Sequence, residues 1–158
     1  MEEIEQYHYE QARAWLEHVA RLKHAVDASR DTRDLFEALL DSATGIDYSR
    51  EHVSGGEYKD RIVETIAKLD EARAQWAANL ASYTDEAVDA SKRINRLEDA
   101  AERRALIAHY VDGKTWERIC IMMDYSYENI MLIRRRGVLN MYEFMPMEWK
   151  DRIPNAAE

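Results

Sequence analysis

The sequence predicts an all-α protein in which residues 1–98 form a long antiparallel helical hairpin. Glycine and proline are scarce, with 5 and 2 among the 158 residues, so the chain offers few turns and its elements must be long. Apolar residues recur at intervals of three and four, which is the spacing of one helix face. An all-β fold needs frequent turns, and this composition argues against it.

The first helix is expected to begin near Glu2 and to run to about Arg30. Its apolar positions step by four, three and four residues: Trp15, Val19, Leu22 and Val26. Asp31-Thr32 either restarts the helix or lets it continue through a second apolar group: Leu35, Phe36, Leu39 and Leu40. The segment SATGIDYSREHVSGGE, residues 42–57, follows, and its glycines predict the one substantial loop.

A second long helix is predicted from near Glu57 to about Leu97, with a potential break near Thr84-Asp85. Its apolar seam has heptad spacing: Ile62, Ile66, Leu69, Trp76, Leu80 and Tyr83. Arg73 occupies the one skipped seam position, where a charged residue can fix register. Such a coiled-coil-like seam can pack within one chain or between chains. We expect a homodimer through these helices, although the sequence leaves the oligomeric state open.

The charge is acidic and unevenly distributed. The net charge is −9, and counting from Asp99 to the end gives nine basic against ten acidic residues, so residues 1–98 carry a balance of −8. This excess argues against a general polyanion binder or a membrane-surface protein. With a single cysteine, no signal-peptide pattern and no apolar stretch of membrane length, the expected location is a reducing cytoplasm.

Residues 99–145 are predicted to form a C-terminal helix-turn-helix domain, with residues 146–158 as a tail. Asp99 and Glu102 are spaced as a capping box for a helix that ends at Gly113. Thr115 and Ser126 can each cap one of two short helices joined by a sharp turn at Asp124-Tyr125. The inner faces are expected to be Trp116, Ile119, Cys120 and Met123 on the first short helix, and Ile130, Ile133 and Gly137 on the second.

The motifs of this region resemble a known family. The run Y-x-x-G-x-T-W-x-x-I over Tyr110–Ile119 and M-x-Y-S over Met123–Ser126 resemble the helix-turn-helix of sigma-70 region 4. The similarity is greatest to the sigma-region-4-like prophage regulators of Gram-positive bacteria, mostly of unknown function. EHVSGG at Glu51–Gly56 is also similar to the loop between their N-terminal helices. The chain departs from many such motifs in having Asp124 where the turn has glycine.

The resemblance implies a sequence-specific DNA-binding transcriptional regulator whose recognition helix, about 126–142, enters the major groove. A helical wheel places Glu128, Met131, Leu132 and Arg135 at the centre of the outward face. Base contacts are expected from Tyr127, Glu128, Met131 and Arg135, and phosphate contacts from Lys114, Arg118, Arg134 and Arg136. Backbone N–H groups at the helix starts, Thr115 and Ser126, add phosphate donors. The expected DNA-binding set is Lys114, Thr115, Arg118, Ser126, Tyr127, Glu128, Asn129, Met131, Arg134, Arg135 and Arg136.

Other functions remain open. Two large apolar residues on the presumed DNA face, Met131 and Leu132, also suit a phage-encoded interaction factor that contacts RNA polymerase or a host protein without binding DNA. The acidic hairpin could then act as a nucleic-acid mimic. A small packaging subunit of a phage terminase is a third hypothesis, since it too combines a helix-turn-helix with oligomerising helices.

Enzymatic and metal sites are not expected. No glycine-rich phosphate loop, serine elbow or convincing carboxylate pair appears. The five histidines show no ligand spacing, so no metal or cofactor is predicted. Cys120 lies on an inner face and is expected to be a small buried hydrophobe. The apolar tail is predicted to continue the last helix to about Met145 and to fold back on the core, with a partner-binding tail as the alternative.

Overall fold

The computed structural model describes residues 2–45 and 55–150, and every regular element within them is helical. A long N-terminal helical pair precedes three shorter helices, as the sequence predicts. The α-helices are α1 (Glu3–Thr44), α2 (Gly55–Ile94), α3 (Ala100–Leu106), α4 (Trp116–Met123) and α5 (Tyr127–Met141), with a π-helical turn at Ile107–Val111 and a 3₁₀ turn at Met147–Trp149. No described helix is apolar over a length that would cross a membrane.

Both long helices are continuous. α1 passes through Asp31-Thr32 without a break, and the Thr32 hydroxyl donates to the Ala28 carbonyl one turn earlier. α2 passes through Thr84-Asp85, so the break considered there is absent. α2 also begins at Gly55, two residues before the predicted start, and ends at Ile94 rather than Leu97. Most of the predicted loop, residues 46–54, lies outside the described residues.

The chain divides into two compact units, of which the second is Ala25–Ser82. Within it, the Arg73 guanidinium lies 3.1 Å from the Glu37 carboxylate, and the Asn79 amide donates to the Ser29 hydroxyl at 3.2 Å. Moving forward along α2 therefore means moving backward along α1, so the two helices are antiparallel here. Arg73, the predicted flaw in the seam, is accommodated because it pairs at the surface with an acidic residue of the opposite helix.

The second unit buries few apolar side chains. Among its described residues, the buried hydrophobic ones are Val26, Leu69 and Ala72. The seam prediction is confirmed for Leu69, which is buried, but is wrong for Ile66, which is 42% exposed. The large apolar side chains at its surface are Leu35, Leu39, Tyr58, Val63 and Ile66. A two-helix unit with so small a core gains little from burial.

The first unit combines Met1–His24 with Tyr83–Glu158. Its division from the second unit therefore differs from the predicted domain boundary at residue 98. The physical reason is the core, which draws on both sides of that boundary. Its buried members come from α1, from α2 and from the chain that follows α2: Ala12, Trp15, Leu16, Val19, Ala87, Ala90, Ile94, Leu97, Leu106, Tyr110, Val111, Val138, Met141 and Met145.

α3 begins at a true N-cap, because the Asp99 carboxylate accepts from the Glu102 backbone N–H at 2.9 Å. The other half of the predicted capping box differs. Glu102 is buried, and its carboxylate accepts from the Asn140 amide of α5 at 3.1 Å. After Leu106 the helix widens into the π-helical turn, and Gly113 follows with a φ of 75°, a conformation that glycine adopts without steric cost.

The described part of the tail folds back on the core of the first unit, as predicted. α5 ends at Met141, four residues earlier than expected, and Met145 is buried beyond it. The Phe144 carbonyl accepts from the Arg93 guanidinium at 2.9 Å. Trp149 packs against His18, with 4.9 Å between their ring centroids.

Candidate nucleic-acid interface

α4 forms as the sequence predicts. The Thr115 hydroxyl caps it by accepting from the Arg118 backbone N–H at 3.2 Å, which satisfies one donor of the first turn. Ile119 on its inner face is fully buried. The other predicted inner residues, Trp116, Cys120 and Met123, are partly buried against a small core that Ile119 shares with Ala105, Ala108, Ile130 and Ile133. The inner face is therefore confirmed, with its centre at Ile119.

The turn between α4 and α5 depends on one residue with a left-handed backbone, Asp124. Asp124 is left-handed, with φ 56° and ψ 47°, and the next N–H, that of Tyr125, returns to the Cys120 carbonyl at 3.1 Å. This arrangement satisfies an end carbonyl of α4 and reverses the chain within three residues. Aspartate is a workable substitute for glycine here because its short polar side chain tolerates the left-handed region better than most.

α5 starts at the predicted cap and packs through the predicted face. The Ser126 hydroxyl accepts from the Asn129 backbone N–H at 3.2 Å. Ile130, Ile133 and Gly137 are all buried. A Cβ added at Gly137 would lie 3.1 Å from a methyl carbon of Leu106, so the missing side chain lets α5 approach α3 closely.

The outward side of α5 carries most of the predicted contact residues. Tyr127, Glu128, Asn129 and Arg135 are exposed. Met131 differs from the prediction, because it is only partly accessible and packs against the core beneath α4 and α5. The start of α5 therefore presents a phenol, a carboxylate and an amide at a helix N-terminus, where the partial charge is positive.

The three consecutive arginines do not share one environment. Arg134 is partly buried, and its Nε donates to the Tyr110 hydroxyl at 3.3 Å. Arg136 is more exposed, and its Nε lies 3.6 Å from a carboxylate oxygen of buried Glu102. Arg135, between them, is exposed. Two of the predicted phosphate contacts thus have partners inside the protein, which the sequence pattern did not reveal.

The remaining predicted cations lie at the start of α4. Lys114 is partly exposed, and its ammonium donates to the Asp112 carboxylate at 2.8 Å. Arg118 is exposed on α4, as are the capping residues Thr115 and Ser126. An ion pair at the surface contributes little to stability, so Lys114 can exchange Asp112 for an anion at low cost.

The side chains of His109, Tyr110 and Trp116 form an aromatic cluster beside these helices. The sequence pattern did not predict that these three rings would lie together. The rings of His109 and Trp116 stack at 4.0 Å. His109 Nδ1 lies 2.7 Å from the Lys114 carbonyl and acts as the donor, since a carbonyl can only accept. The Tyr110–Trp116 spacing within the quoted motif is the only sequence signal that could have suggested it.

Burial shifts the titration of two members of the aromatic cluster. Burial lowers the pKa of His109 from its usual value, although the bond to the Lys114 carbonyl opposes the shift. Burial raises the pKa of Tyr110, against an opposing effect of the Arg134 charge. Near neutral pH the cluster is therefore a neutral imidazole and a neutral phenol beside one guanidinium. In the described part of the chain, no cluster of three or more His, Cys, Asp or Glu side chains could hold a metal ion.

Comparison of the chain with protein-family models, with curated proteins and with solved structures finds no match. The resemblance to sigma-70 region 4 therefore stays a prediction.

Proposed function

We propose that the protein is a sequence-specific DNA-binding transcriptional regulator of the phage or prophage type, similar to sigma-70 region 4, and not an enzyme. The observation that carries the proposal is the α4–turn–α5 unit. Two short helices are each capped by a hydroxyl, joined through a single left-handed residue, and packed through Ile119, Ile130 and Ile133, while the start of the second helix remains exposed. This is the arrangement that a helix-turn-helix uses to bind DNA.

α5 would enter the major groove with its N-terminal end closest to the bases. Its 15 residues give a length of about 22 Å, and the groove is wide enough to admit one helix. Glu128 can accept from cytosine N4, and Arg135 can donate two bonds to guanine. Tyr127 and the accessible part of Met131 would contact neighbouring base edges.

The phosphates would be held mainly by residues at the starts of α4 and α5. Lys114 and Arg118 supply positive charge, and the N–H groups at the capped helix starts, Thr115 and Ser126, supply neutral donors. Arg136 is exposed enough to reach a phosphate on one side while its Nε stays near Glu102. The acidic residues 1–98 would be repelled by DNA, which favours binding through the C-terminal helices alone.

The salt dependence of DNA binding tests this proposal. A duplex selected from a randomised library is titrated with the protein by fluorescence anisotropy between about 50 and 200 mM salt. With three phosphate contacts for each bound copy, the log–log slope should be about −2.7 for one copy and about −5.4 for a dimer on two half-sites, since each contact contributes about 0.9. A protein that binds no duplex, or binds without salt dependence, would contradict the proposal.

Replacing Arg135 with alanine tests the base contact. The change should cost about 1–3 kcal/mol on the selected duplex and remove the preference at one base pair. Selection repeated with the variant measures that loss of preference. Arg21→Ala, at an exposed position of α1 distant in sequence from the motif, is the matched control and should leave both affinity and preference unchanged. An unaltered preference in Arg135→Ala would show that another residue reads that position.

We also propose a homodimer through the second unit. Its exposed leucines and isoleucine, Leu35, Leu39 and Ile66, together with its small core, leave apolar surface that a second copy could cover. A dimer would place two α5 helices on two half-sites, which raises affinity over a single motif. Light scattering should therefore give a molar mass of twice 18.5 kDa, and a value of 18.5 kDa at all concentrations would contradict this part of the proposal.

A second candidate function is favoured by one observation. Ile121 of α4 is 74% exposed and Leu132 of α5 is 61% exposed, and large apolar side chains at the surface often mark protein contacts. The protein could then contact RNA polymerase or another protein without binding DNA. Association with purified RNA polymerase in the absence of DNA, lost in Leu132→Asp, would favour this function. Salt-dependent DNA binding unaffected by Leu132→Asp would favour the first.

A further inference from the structure

The guanidinium of Arg134 is the point where three helical segments meet. Arg134 belongs to α5, and the guanidinium carbon lies 5.1 Å from the ring centroid of Trp116, the first residue of α4. Its Nε donates at 3.3 Å to the hydroxyl of Tyr110, in the π-helical turn that follows α3. One side chain thereby bridges both helices of the proposed DNA-binding unit to the helix that supports them.

Trp116 is itself held in place by a second partner. The His109 ring stacks on it at 4.0 Å with an interplanar angle of 21°. His109 in turn bonds the carbonyl of Lys114, two residues before Trp116. The start of α4, with its cap and its cations, is therefore fixed to the π-helical turn by His109 and to α5 by Arg134.

These contacts compete with a phosphate contact by Arg134. Tyr110 is only 1% exposed, so moving the guanidinium outward would withdraw a donor from a buried hydroxyl that water does not reach. It would also give up the attraction between the cation and the Trp116 ring, which is stronger for a partly desolvated pair. A phosphate at the surface would have to outweigh both losses.

Resting on the proposed function, we infer that Arg134 is a positioning residue rather than a phosphate contact. It sets the angle between α4 and α5, and with it the distance between the cations of α4 and the base-reading residues of α5. A helix-turn-helix binds a specific site only when both helices meet the duplex together. Arg134 therefore contributes to affinity without neutralising a phosphate itself.

The test compares Arg134→Gln with Arg118→Gln on the selected duplex. Arg118 is the matched control for a direct contact, because it is exposed on α4 and proposed to neutralise a phosphate. Arg118→Gln should lower the magnitude of the salt slope by about 0.9 for each bound copy. Arg134→Gln should lower affinity roughly tenfold, from the combined loss of one hydrogen bond and one cation–π contact, with the slope unchanged.

Two further variants keep the test independent of folding defects. Arg134→Lys keeps the charge that a phosphate would need but loses the planar fork, so it should bind as weakly as Arg134→Gln. Tyr110→Phe removes only the hydroxyl and should weaken binding several-fold at constant slope, and its effect should not add to that of Arg134→Gln. A salt slope that falls by about 0.9 for each bound copy in Arg134→Gln, or full rescue by lysine, would overturn the inference.

Hydrogen exchange of the free protein separates this inference from the proposed function. In Arg134→Gln, the amides of Ile119 and Cys120 should exchange faster, whereas that of Ile94 in α2 should be unchanged. Arg118→Gln should alter none of them. If the wild type binds no duplex, the proposed function fails, and unchanged exchange at Ile119 in Arg134→Gln would separately overturn the positioning role.

Discussion

Replacing Trp15 with alanine is expected to lower the free energy of unfolding by about 3–5 kcal/mol, the largest effect predicted for this protein. Trp15 is completely buried in the main core of the first unit. Removing its side chain loses the transfer free energy of the indole and leaves a cavity that the surrounding helices can fill only in part. Because that core includes residues of α1, α2, α3 and α5, the whole first unit should be affected.

Urea denaturation followed by circular dichroism measures this change, with Trp149→Ala as the matched control. Trp149 is only partly buried against the same core, so its removal should cost less than half as much. Trp15→Phe should lower the free energy of unfolding less than Trp15→Ala does, because the phenylalanine ring keeps part of the packing. The loss of the buried Nε1 of Trp15 adds no penalty, since this atom has no hydrogen-bond partner among the described residues. Equal effects of the two alanine variants would mean that Trp15 is not the centre of the core.

Local signals in the sequence predicted the elements of the candidate site well. Caps depend on one side chain and the next three residues, and all three predicted caps form, at Asp99, Thr115 and Ser126. The inner face of α5 also follows from spacing alone, because a helix places residues three and four apart on one side. The turn at Asp124 was likewise visible from its position between two capped helices.

Features that depend on distant partners could not be predicted. Nothing near Arg134 in the sequence indicates that Tyr110, 24 residues earlier, would accept its hydrogen bond. The same holds for Arg136 and buried Glu102, which a capping-box pattern assigned to a purely local role. The arginine triplet was therefore predicted as one basic group, whereas tertiary contacts give its three members different environments.

The long helices show the same limit. Heptad spacing identified α2 as a helix that packs lengthwise, and the Arg73–Glu37 pair explains how a charged seam position is tolerated. Spacing alone could not predict how many seam side chains would be buried, because their burial depends on which residues pack against them. Nor could it show that α1 and α2 each contribute to two units, because a continuous helix carries no sequence signal where its packing partners change.

Replacing Ile130 with alanine is the second large prediction, with an expected loss of about 2–5 kcal/mol of unfolding free energy. Ile130 is fully buried in the small core that it shares with Ile119 and Ile133. Leu132→Ala is the matched control, because it removes the same number of carbon atoms from the same helix at a position that is 61% exposed. Its effect on unfolding should stay within about 0.5 kcal/mol.

The pair also separates stability from function, since the two side chains lie on opposite faces of α5. Ile130→Ala should weaken the proposed DNA binding in parallel with loss of α5, and added osmolyte should restore both. Leu132→Ala should keep the fold and change only contacts made by the outer face, with the salt slope unaffected because no charge is removed. If Leu132→Ala destabilised the protein as much as Ile130→Ala, the outer face would be buried in solution, and α5 could not lie in a groove of DNA.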